Sequence, residues 1–335
     1  MVKRLIPEWE PQRFVQMTWP HQSTDWASVL DEAKDNFVRI ANEITKHELL
    51  LIVAPDIKQV MCEIEGRLNI RKVVFAQLPS NDTWARDHGG LTVEYSGLRV
   101  VMDFCFNGWG MKFAADKDNL ITSRLAEEGF LGDVMYGNCR DFVLEGGSIE
   151  TDGKGTLLTT SRCLLSPNRN GAYSKEDIEE RLKQSFGVER ILWLDYGALA
   201  GDDTDSHIDT LARLCPDDTI MFQGCQNGND EHFAELAKMK EQLESFRTLD
   251  GKPYRLVELP MPDARYDEDG MRLPASYANY LIVNGAVLVP TYSCNADAEA
   301  LARIAEVYND REIVGVDCCT LIKQHGSLHC VTMQY

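Results

Sequence analysis

The chain has few of the features that mark secreted, membrane-bound or nucleic-acid-binding proteins. Its first residues show no apolar secretory-signal segment, and no apolar run approaches the ~20 residues of a membrane span. Basic residues are scarce, since 34 Lys and Arg stand against 53 Asp and Glu, a formal net charge of −19. Phosphate binding needs clustered positive charge, so nucleic acid and membrane are not expected as partners, whereas a cationic small molecule suits this acidity.

Ten cysteines are present, but they do not indicate a disulfide framework. The chain is too long to need covalent staples, and thiols such as Cys105 and Cys163 lie in or beside apolar runs, where a thiol packs as a small hydrophobe. We therefore expect reduced thiols and a cytoplasmic location. The sequence also has no Cys-x-x-Cys and no Gly-x-Gly-x-x-Gly after a predicted strand, so a zinc-cysteine site and a dinucleotide fold have little support.

Apolar, β-branched runs alternate along the chain with segments of helical period. Strands are predicted over residues 49–53, 72–76, 98–106, 190–194, 219–222, 254–259, 280–289 and 312–316. Helices are predicted from a Thr24-Asp25 cap to about His47, after a Ser174-x-x-Asp177 capping box, along a stripe from Phe233 to Phe246 and after Asn295. No linker divides the chain, so we expect one α/β domain over residues 1–335. Periodicity alone does not distinguish a doubly wound sheet from a radial array of βαβ units.

Four short segments carry residues capable of chemistry: Trp84-Ala85-Arg86-Asp87, Glu145-Gly146-Gly147, His207-Ile208-Asp209 and, six residues from the end, His329-Cys330. A thiol nucleophile, an imidazole acid/base and substrate-holding carboxylates need not be neighbours in sequence. In an extended segment, His207 and Asp209 would project from one face and meet one substrate group. His329 would point away from Cys330 if both lay in a strand, and so would not activate the thiol.

Each segment also has an ordinary structural interpretation. A lone cysteine is more often buried and inert than catalytic. His207 is equally consistent with a satisfied histidine in an acidic loop, and Arg86 with Asp87 forms a common surface ion pair. His325 and His329 offer a zinc alternative, but a spacing of four places two histidines on one face only in a helix, which Gly326 disfavours. We expect no metal and no organic cofactor.

Taken in order, the motifs resemble the agmatine deiminase family, which is related to the Porphyromonas-type peptidylarginine deiminases within the guanidine-modifying pentein superfamily. The resemblance covers nearly the whole chain, at residues 17–20, 81–89, 106–110, 145–149, 163–170, 203–209, 277–280 and 329–332. It implies a propeller-like ring of five ββαβ units around a central active site. It also implies a homodimer and a small cationic guanidino substrate.

The family pattern implies a role for each matching residue. Cys330 corresponds to the nucleophile and His207 to the general acid/base. Glu145 corresponds to a carboxylate that hydrogen-bonds and orients His207. Asp87 and Asp209 correspond to the two carboxylates that hold the guanidinium. The same resemblance places Trp84, Trp109 and Asn279 at the substrate, although either tryptophan is equally suited to core packing instead of a cation–π contact.

The implied reaction is hydrolysis of agmatine to N-carbamoylputrescine and ammonia through a covalent thiouronium intermediate on Cys330. Three loops depart from the family pattern: Gly89-Gly90, Ser206 and His325-Gly326-Ser327. Arginine, free or at a peptide terminus, therefore stays an alternative substrate. A non-catalytic guanidino- or polyamine-binding protein would keep Asp87 and Asp209 without requiring Cys330. A thiol acyl hydrolase would need an oxyanion hole and would not need two guanidinium-matching carboxylates.

Overall fold

The computed structural model describes residues 3–335, and its strands form five sheets. The strands are β1 (Lys3–Leu5), β2 (Phe14–Thr18), β3 (Leu49–Ala54), β4 (Val73–Gln77), β5 (Leu91–Tyr95), β6 (Leu98–Cys105), β7 (Met135–Val143), β8 (Ile149–Thr151), β9 (Thr156–Thr160), β10 (Arg190–Leu194), β11 (Ala212–Cys215), β12 (Thr219–Gln223), β13 (Arg255–Leu259), β14 (Leu281–Val283), β15 (Ala286–Thr291), β16 (Glu312–Asp317) and β17 (Thr332–Gln334).

Helices connect and cover the sheets. They are α1 (Leu30–His47), α2 (Ile57–Ile64), α3 (Ala85–His88), α4 (Gly108–Met111), α5 (Ile121–Glu127), α6 (Ser161–Leu164), α7 (Pro167–Asn170), α8 (Lys175–Phe186), α9 (Phe233–Ser245) and α10 (Ala296–Val307). Single 3₁₀ turns lie at Asp25–Val29, Ile70–Lys72, Asp118–Leu120, Gly146–Ser148, Ile208–Thr210 and Leu321–Gln324. Within residues 3–335, no helix is long and apolar enough to cross a membrane.

One connection recurs in all five sheets. Two strands pair antiparallel, a helix follows, and a third strand pairs parallel with the second strand. The recurring sets are β5-β6-β7, β8-β9-β10, β11-β12-β13, β14-β15-β16 and β17-β2-β3, with β1 and β4 added at two edges. The fifth set joins the two ends of the chain, since Thr332 pairs with Met17. The protein is therefore a mixed α/β structure, as predicted.

Three of the middle strands are buried on both faces, since every residue of β2, β9 and β12 is buried. These strands mix apolar residues with threonine and glutamine. In α1 the buried residues include Phe37, Ile40 and Ile44, whose spacing of three and four forms one apolar stripe. The core thus lies between helices and sheets.

Seven of the eight predicted strands agree with the structure to within one residue at each end. The predicted strand over residues 280–289 is wrong as a single element. Asn284-Gly285 turns the chain there, with φ +86° at Gly285, and β14 pairs with β15 as a hairpin. Asn-Gly favours the two-residue hairpin turn because both residues tolerate positive φ.

The predicted helix starts have different outcomes. The capping box at Ser174 and Asp177 is confirmed, with both reciprocal hydrogen bonds present. Thr24 does not cap the first helix with its side chain, because its hydroxyl donates to the His21 carbonyl at 2.6 Å and a 3₁₀ turn precedes α1. Asn295 precedes α10 without a side-chain cap bond.

Candidate active site

The predicted site residues occupy equivalent places in the five sheets. A motif residue lies two to four positions before the first strand of each recurring set: Asp87 before β5, Glu145 before β8, Asp209 before β11, Asn279 before β14 and Cys330 before β17. Because the sets share one connection, their first strands begin at equivalent points. The repeated topology therefore explains how motifs far apart in sequence meet.

Cys330 lies in a turn two residues before β17, not in the predicted strand. Its Sγ is 3.4 Å from Asn279 Oδ1 and 4.0 Å from Asp209 Oδ2. Burial, and then the charges of Asp209 and Asp87, raise the pKa of the Cys330 thiol well above its ordinary value. The thiol is therefore neutral when no cation is bound.

Asn279 supports the cysteine turn from behind. Its Oδ1 accepts from the backbone N–H of His329 at 3.0 Å, and its side chain is buried. It does not belong to the cavity lining described below. Asn279 thus holds the Cys330 turn, and its predicted contact with the substrate stays a prediction.

Asp87 faces neutral donors. Trp109 Nε1 donates to Oδ2 at 2.9 Å and the Gly147 N–H donates to Oδ1 at 3.0 Å. Burial, and then the charge of Asp209, raise the pKa of Asp87 well above its ordinary value. A Cβ on Gly147 would lie 2.7 Å from His207 Nδ1 and 2.8 Å from Asp87 Oδ1, so the close approach of this backbone requires glycine.

His207 immediately precedes the Ile208–Thr210 3₁₀ turn, so the predicted extended conformation is wrong. Its Nδ1 is nevertheless 3.5 Å from Asp87 Oδ1, which brings the two motifs together. Neither ring nitrogen has a hydrogen-bond partner within the described chain, although the side chain is only 1% exposed. Burial lowers the pKa of His207 to about 3, against the charge of Asp209, so the imidazole is neutral.

Asp209 is fully buried and differs from Asp87 in its surroundings. Its Oδ2 lies 2.7 Å from His329 Nδ1, while its Oδ1 has no partner among the described residues. Burial alone would raise the pKa of Asp209, but the hydrogen bond and charge of His329 lower it below its ordinary value. Asp209 is therefore the ionised carboxylate of the pair.

Glu145 does not form the predicted hydrogen bond with His207. Arg169 Nε instead donates to both Glu145 oxygens at 2.9 and 3.0 Å, and Arg169 Nη1 donates to Asp205 Oδ2 at 2.6 Å. Arg169 belongs to the segment 163–170 that resembles the family pattern. The Arg169 side chain has no exposed surface, and its hydrogen bonds to Glu145 and Asp205 leave it unavailable to a substrate carboxylate.

Two groups of residues bear on metal binding. His325 Nδ1 bonds to the Gly201 carbonyl at 2.8 Å, whereas both nitrogens of His329 face carboxylates, so the two histidines do not form the considered zinc pair. Glu145, Cys163 and His207 each place a possible ligand atom within 4.8 Å of the others. However, Arg169 already neutralises Glu145, and a second cation beside this guanidinium would be repelled.

A cavity of about 360 Å³ opens onto Cys330, Asp87 and His207. Trp84 and Trp109 both line it, and Trp84 also packs on Trp26 with ring centroids 5.6 Å apart. The two tryptophans are thus at once core residues and cavity wall. Six carboxylates belong to the lining, with one lysine, Lys117: Asp25, Asp82, Asp87, Asp118, Asp202 and Asp203. The cavity suits an elongated cation.

Comparison with known proteins agrees with this geometry. Residues 4–335 match the model of the Porphyromonas-type peptidyl-arginine deiminase family. The chain belongs to that family. It is 32% identical to a Vibrio parahaemolyticus protein provisionally described as an agmatine deiminase, over 98% of this chain and 95% of the relative.

Solved structures of the family superpose closely. A Porphyromonas gingivalis protein, provisionally described as an arginine deiminase, is 54% identical with a TM-score of 0.93, over 99% of this chain and 98% of that one. The Campylobacter jejuni agmatine deiminase, solved with substrate bound, is 37% identical with a TM-score of 0.92, over 99% and 96%. A dimethylarginine dimethylaminohydrolase at 12% identity and a TM-score of 0.52, over 97% of this chain and all of that one, shares the pentein fold alone.

Proposed function

We propose that the protein is an agmatine deiminase, which converts agmatine and water into N-carbamoylputrescine and ammonia. The observation that carries the proposal is the set of buried polar atoms beside Cys330 that lack partners in the described chain: Asp209 Oδ1 and both ring nitrogens of His207. Buried polar atoms are nearly always paired, so unpaired ones around a thiol indicate a ligand that supplies donors. A guanidinium is such a ligand, with N–H groups in a planar fork that matches carboxylates.

The geometry supports a role for each residue in this proposal. Asp87 and Asp209 bind the edges of the guanidinium and hold its central carbon over Cys330 Sγ. At rest the thiol and the His207 imidazole are both neutral. A cation ~4 Å from the sulfur favours the thiolate by about 4 kcal/mol at an effective dielectric near 20. Substrate binding thereby ionises Cys330, and the thiol proton passes to His207.

The reaction then proceeds in two displacements. The sulfur bonds to the guanidinium carbon, His207 returns the proton to the departing nitrogen, and ammonia leaves a thiouronium on Cys330. His207 next takes a proton from water as the water oxygen bonds to the same carbon. The carbon–sulfur bond breaks and the hydroxyl proton passes to the sulfur, which yields the ureido product and the thiol. His207 then releases its proton to solvent.

The remainder of the cavity favours an ammonium over an α-carboxylate. Burial, and then the charges of Asp25 and Asp118, raise the pKa of Asp82 to about 7, so a cation beside these lining residues would favour its ionised form. An α-carboxylate would require a basic partner. Arg169 is already bonded to Glu145 and Asp205, and the one lysine of the described lining, Lys117, stands among six carboxylates.

The deciding measurement is ammonia release from agmatine, free arginine and a peptide with C-terminal arginine, compared as kcat/KM. We expect agmatine to lead by at least ~100-fold, which corresponds to ~3 kcal/mol for one mispaired charged group. Butylguanidine, which lacks the ammonium, serves as the matched substrate control. Asp82→Asn should lower the preference for agmatine over butylguanidine. If either arginine substrate gave a kcat/KM equal to that of agmatine, the substrate would be reassigned to arginine. The proposed deimination reaction would stand.

The fold supports a wider arrangement. Because one candidate residue precedes the first strand of each of five equivalent sheets, we propose that the sheets form a five-membered ring of ββαβ units around Cys330, within one catalytic domain. The homodimer and the cytoplasmic location stay predictions from the sequence.

A further inference from the structure

A chain of buried charged groups lies behind Asp209, on the side away from the substrate cavity. His329 Nδ1 is 2.7 Å from Asp209 Oδ2, and His329 Nε2 is 2.8 Å from Glu8 Oε2. All three side chains are at most 8% exposed. His329 is not part of the 360 Å³ cavity lining and borders a separate cavity of about 60 Å³ with Glu8 and Arg86. His329 therefore contacts Asp209 from the side of this second cavity.

The two carboxylate partners determine the proton count of His329. An ionised carboxylate only accepts hydrogen bonds, and a neutral imidazole has one N–H, so two carboxylates require two N–H groups. Arg213 Nη2 also approaches His329 Nε2, at 3.3 Å, and would suit a neutral ring. The Glu8 oxygen is closer, at 2.8 Å, and would meet a bare lone pair if Nε2 carried no proton. The geometry therefore favours the imidazolium.

Burial, and then the charges of Arg86 and Arg213, lower the pKa of His329, whereas the charge of Glu8 and the hydrogen bond to Asp209 raise it. The balance of buried charge around the ring favours the imidazolium. His329 faces Asp209 and Glu8 directly, with Arg213, Arg86 and Glu150 in the next contacts. Apart from His329, the set contains three carboxylates and two guanidinium groups. When all are ionised, they carry one excess negative charge. One positive charge on His329 makes the buried set neutral, whereas a neutral ring would leave a buried excess of one negative charge.

Glu8 is held as firmly as the ring it contacts. Its Oε1 accepts from the Ile282 N–H of β14 at 2.7 Å, and its Oε2 accepts from Arg213 Nη2, in β11, at 2.8 Å. Arg213 is in turn bonded to Glu150 of β8. Through Glu8, residues from three sheets thus fix the position of the His329 ring. The ring in turn fixes the position of Asp209 through their hydrogen bond.

We propose that His329 is a positioning residue for deimination: as an imidazolium held between Glu8 and Asp209, it keeps Asp209 ionised and fixed beside Cys330 as a preformed anion for the guanidinium. The role rests on the proposed function, since it concerns how the substrate cation is received. This role distinguishes Asp209 from Asp87, the other proposed substrate carboxylate, because within residues 3–335 Asp87 accepts hydrogen bonds only from the neutral donors of Trp109 and Gly147.

The test is the pH dependence of kcat/KM for Glu8→Gln. This substitution keeps the shape of the side chain but removes one of the two charges that favour the imidazolium. His329 then loses its proton at lower pH, so the alkaline loss of activity should begin at least about one pH unit lower than in the wild type. The acid side of the profile should be unchanged. Glu150→Gln is the matched control, since Glu150 belongs to the same charged set but contacts Arg213 and not His329, so its shift should be smaller.

Two further readouts separate a positioning role from a purely structural one. With ¹⁵N-labelled histidine, both His329 ring nitrogens should give imidazolium resonances at pH 7.5, assigned by their loss in His329→Asn. This measurement does not depend on turnover, so absence of agmatine deimination alone would refute the function without deciding the state of His329. A neutral His329 spectrum, superimposable Glu8→Gln and wild-type profiles, or an equal shift in Glu150→Gln would overturn the proposal.

Discussion

Replacing Asp209 with asparagine is expected to make Cys330 more reactive while making the enzyme inactive. Asp209 Oδ2 lies 4.0 Å from Cys330 Sγ, and after burial its charge is the largest cause of the raised pKa of the thiol. Repulsion between two unit charges at this distance is about 4 kcal/mol at an effective dielectric of 20. Since about 1.4 kcal/mol corresponds to a factor of ten, the thiolate fraction should rise by up to about a thousandfold.

The assay is the alkylation rate of Cys330 by iodoacetamide without substrate, with the modified cysteine identified by mass spectrometry. Iodoacetamide is uncharged, so its rate follows the thiolate fraction and not an attraction to the acidic cavity. We expect alkylation in Asp209→Asn to be at least about tenfold faster than in the wild type, because repacking around the asparagine offsets part of the full effect. The same variant should lose at least about 100-fold in kcat/KM for agmatine, since the guanidinium loses its ionised partner.

Asp203→Asn is the matched control, because it removes a carboxylate from the same cavity lining and leaves Asp209 in place. Its alkylation rate should stay within about twofold of the wild type, since solvent screens the more exposed charge. Cys163, which is fully buried, reports on unfolding if it becomes alkylated. An unchanged or slower reaction of Cys330 in a folded Asp209→Asn variant would refute the electrostatic account of the thiol.

Two further predictions concern the acid/base residue and metals. His207→Gln should slow both displacements and accumulate the thiouronium adduct on Cys330, which intact-protein mass spectrometry detects; unchanged turnover would assign the proton transfers to another group. Exhaustive chelation should leave kcat/KM unaltered, because Asp87 and Asp209 bind the substrate cation and Arg169 neutralises Glu145. Loss of activity restored only by added zinc would contradict the metal-free reaction.

The strands that the sequence predicted are those with strong local patterns. Arg190–Leu194 is an apolar run bounded by polar residues, and its predicted limits are those of β10. Short strands such as β8 and β17 have three residues each, too few for a period to be recognised. Their existence depends on pairing with other strands, which for β8 is the neighbouring β9. For β17 the partner is β2, more than 300 residues away.

The candidate site was predicted from ordered motifs, not from the conformation of each motif. His207 and Asp209 were expected on one face of an extended segment, whereas His207 precedes a 3₁₀ turn that contains Asp209, and both still reach the same site. Glu8 had no local signal, since its partner His329 lies 321 positions away. The pairing of Arg169 with Glu145 was missed for the same reason, because ion pairs between distant segments depend on the tertiary structure.

The difference between Asp87 and Asp209 shows what the motifs alone could not predict. Both are aspartates in short polar segments, and the resemblance assigned them the same task. Asp87 receives hydrogen bonds from an indole and a backbone amide, so burial dominates and favours its protonated form. Asp209 contacts His329, which Glu8 holds on its other side, so Asp209 is ionised despite full burial. In the proposed reaction, the unequal pair lets Asp209 attract the substrate cation first, and Asp87 then releases its proton to solvent as the guanidinium reaches it, which limits the repulsion between two buried charges before binding.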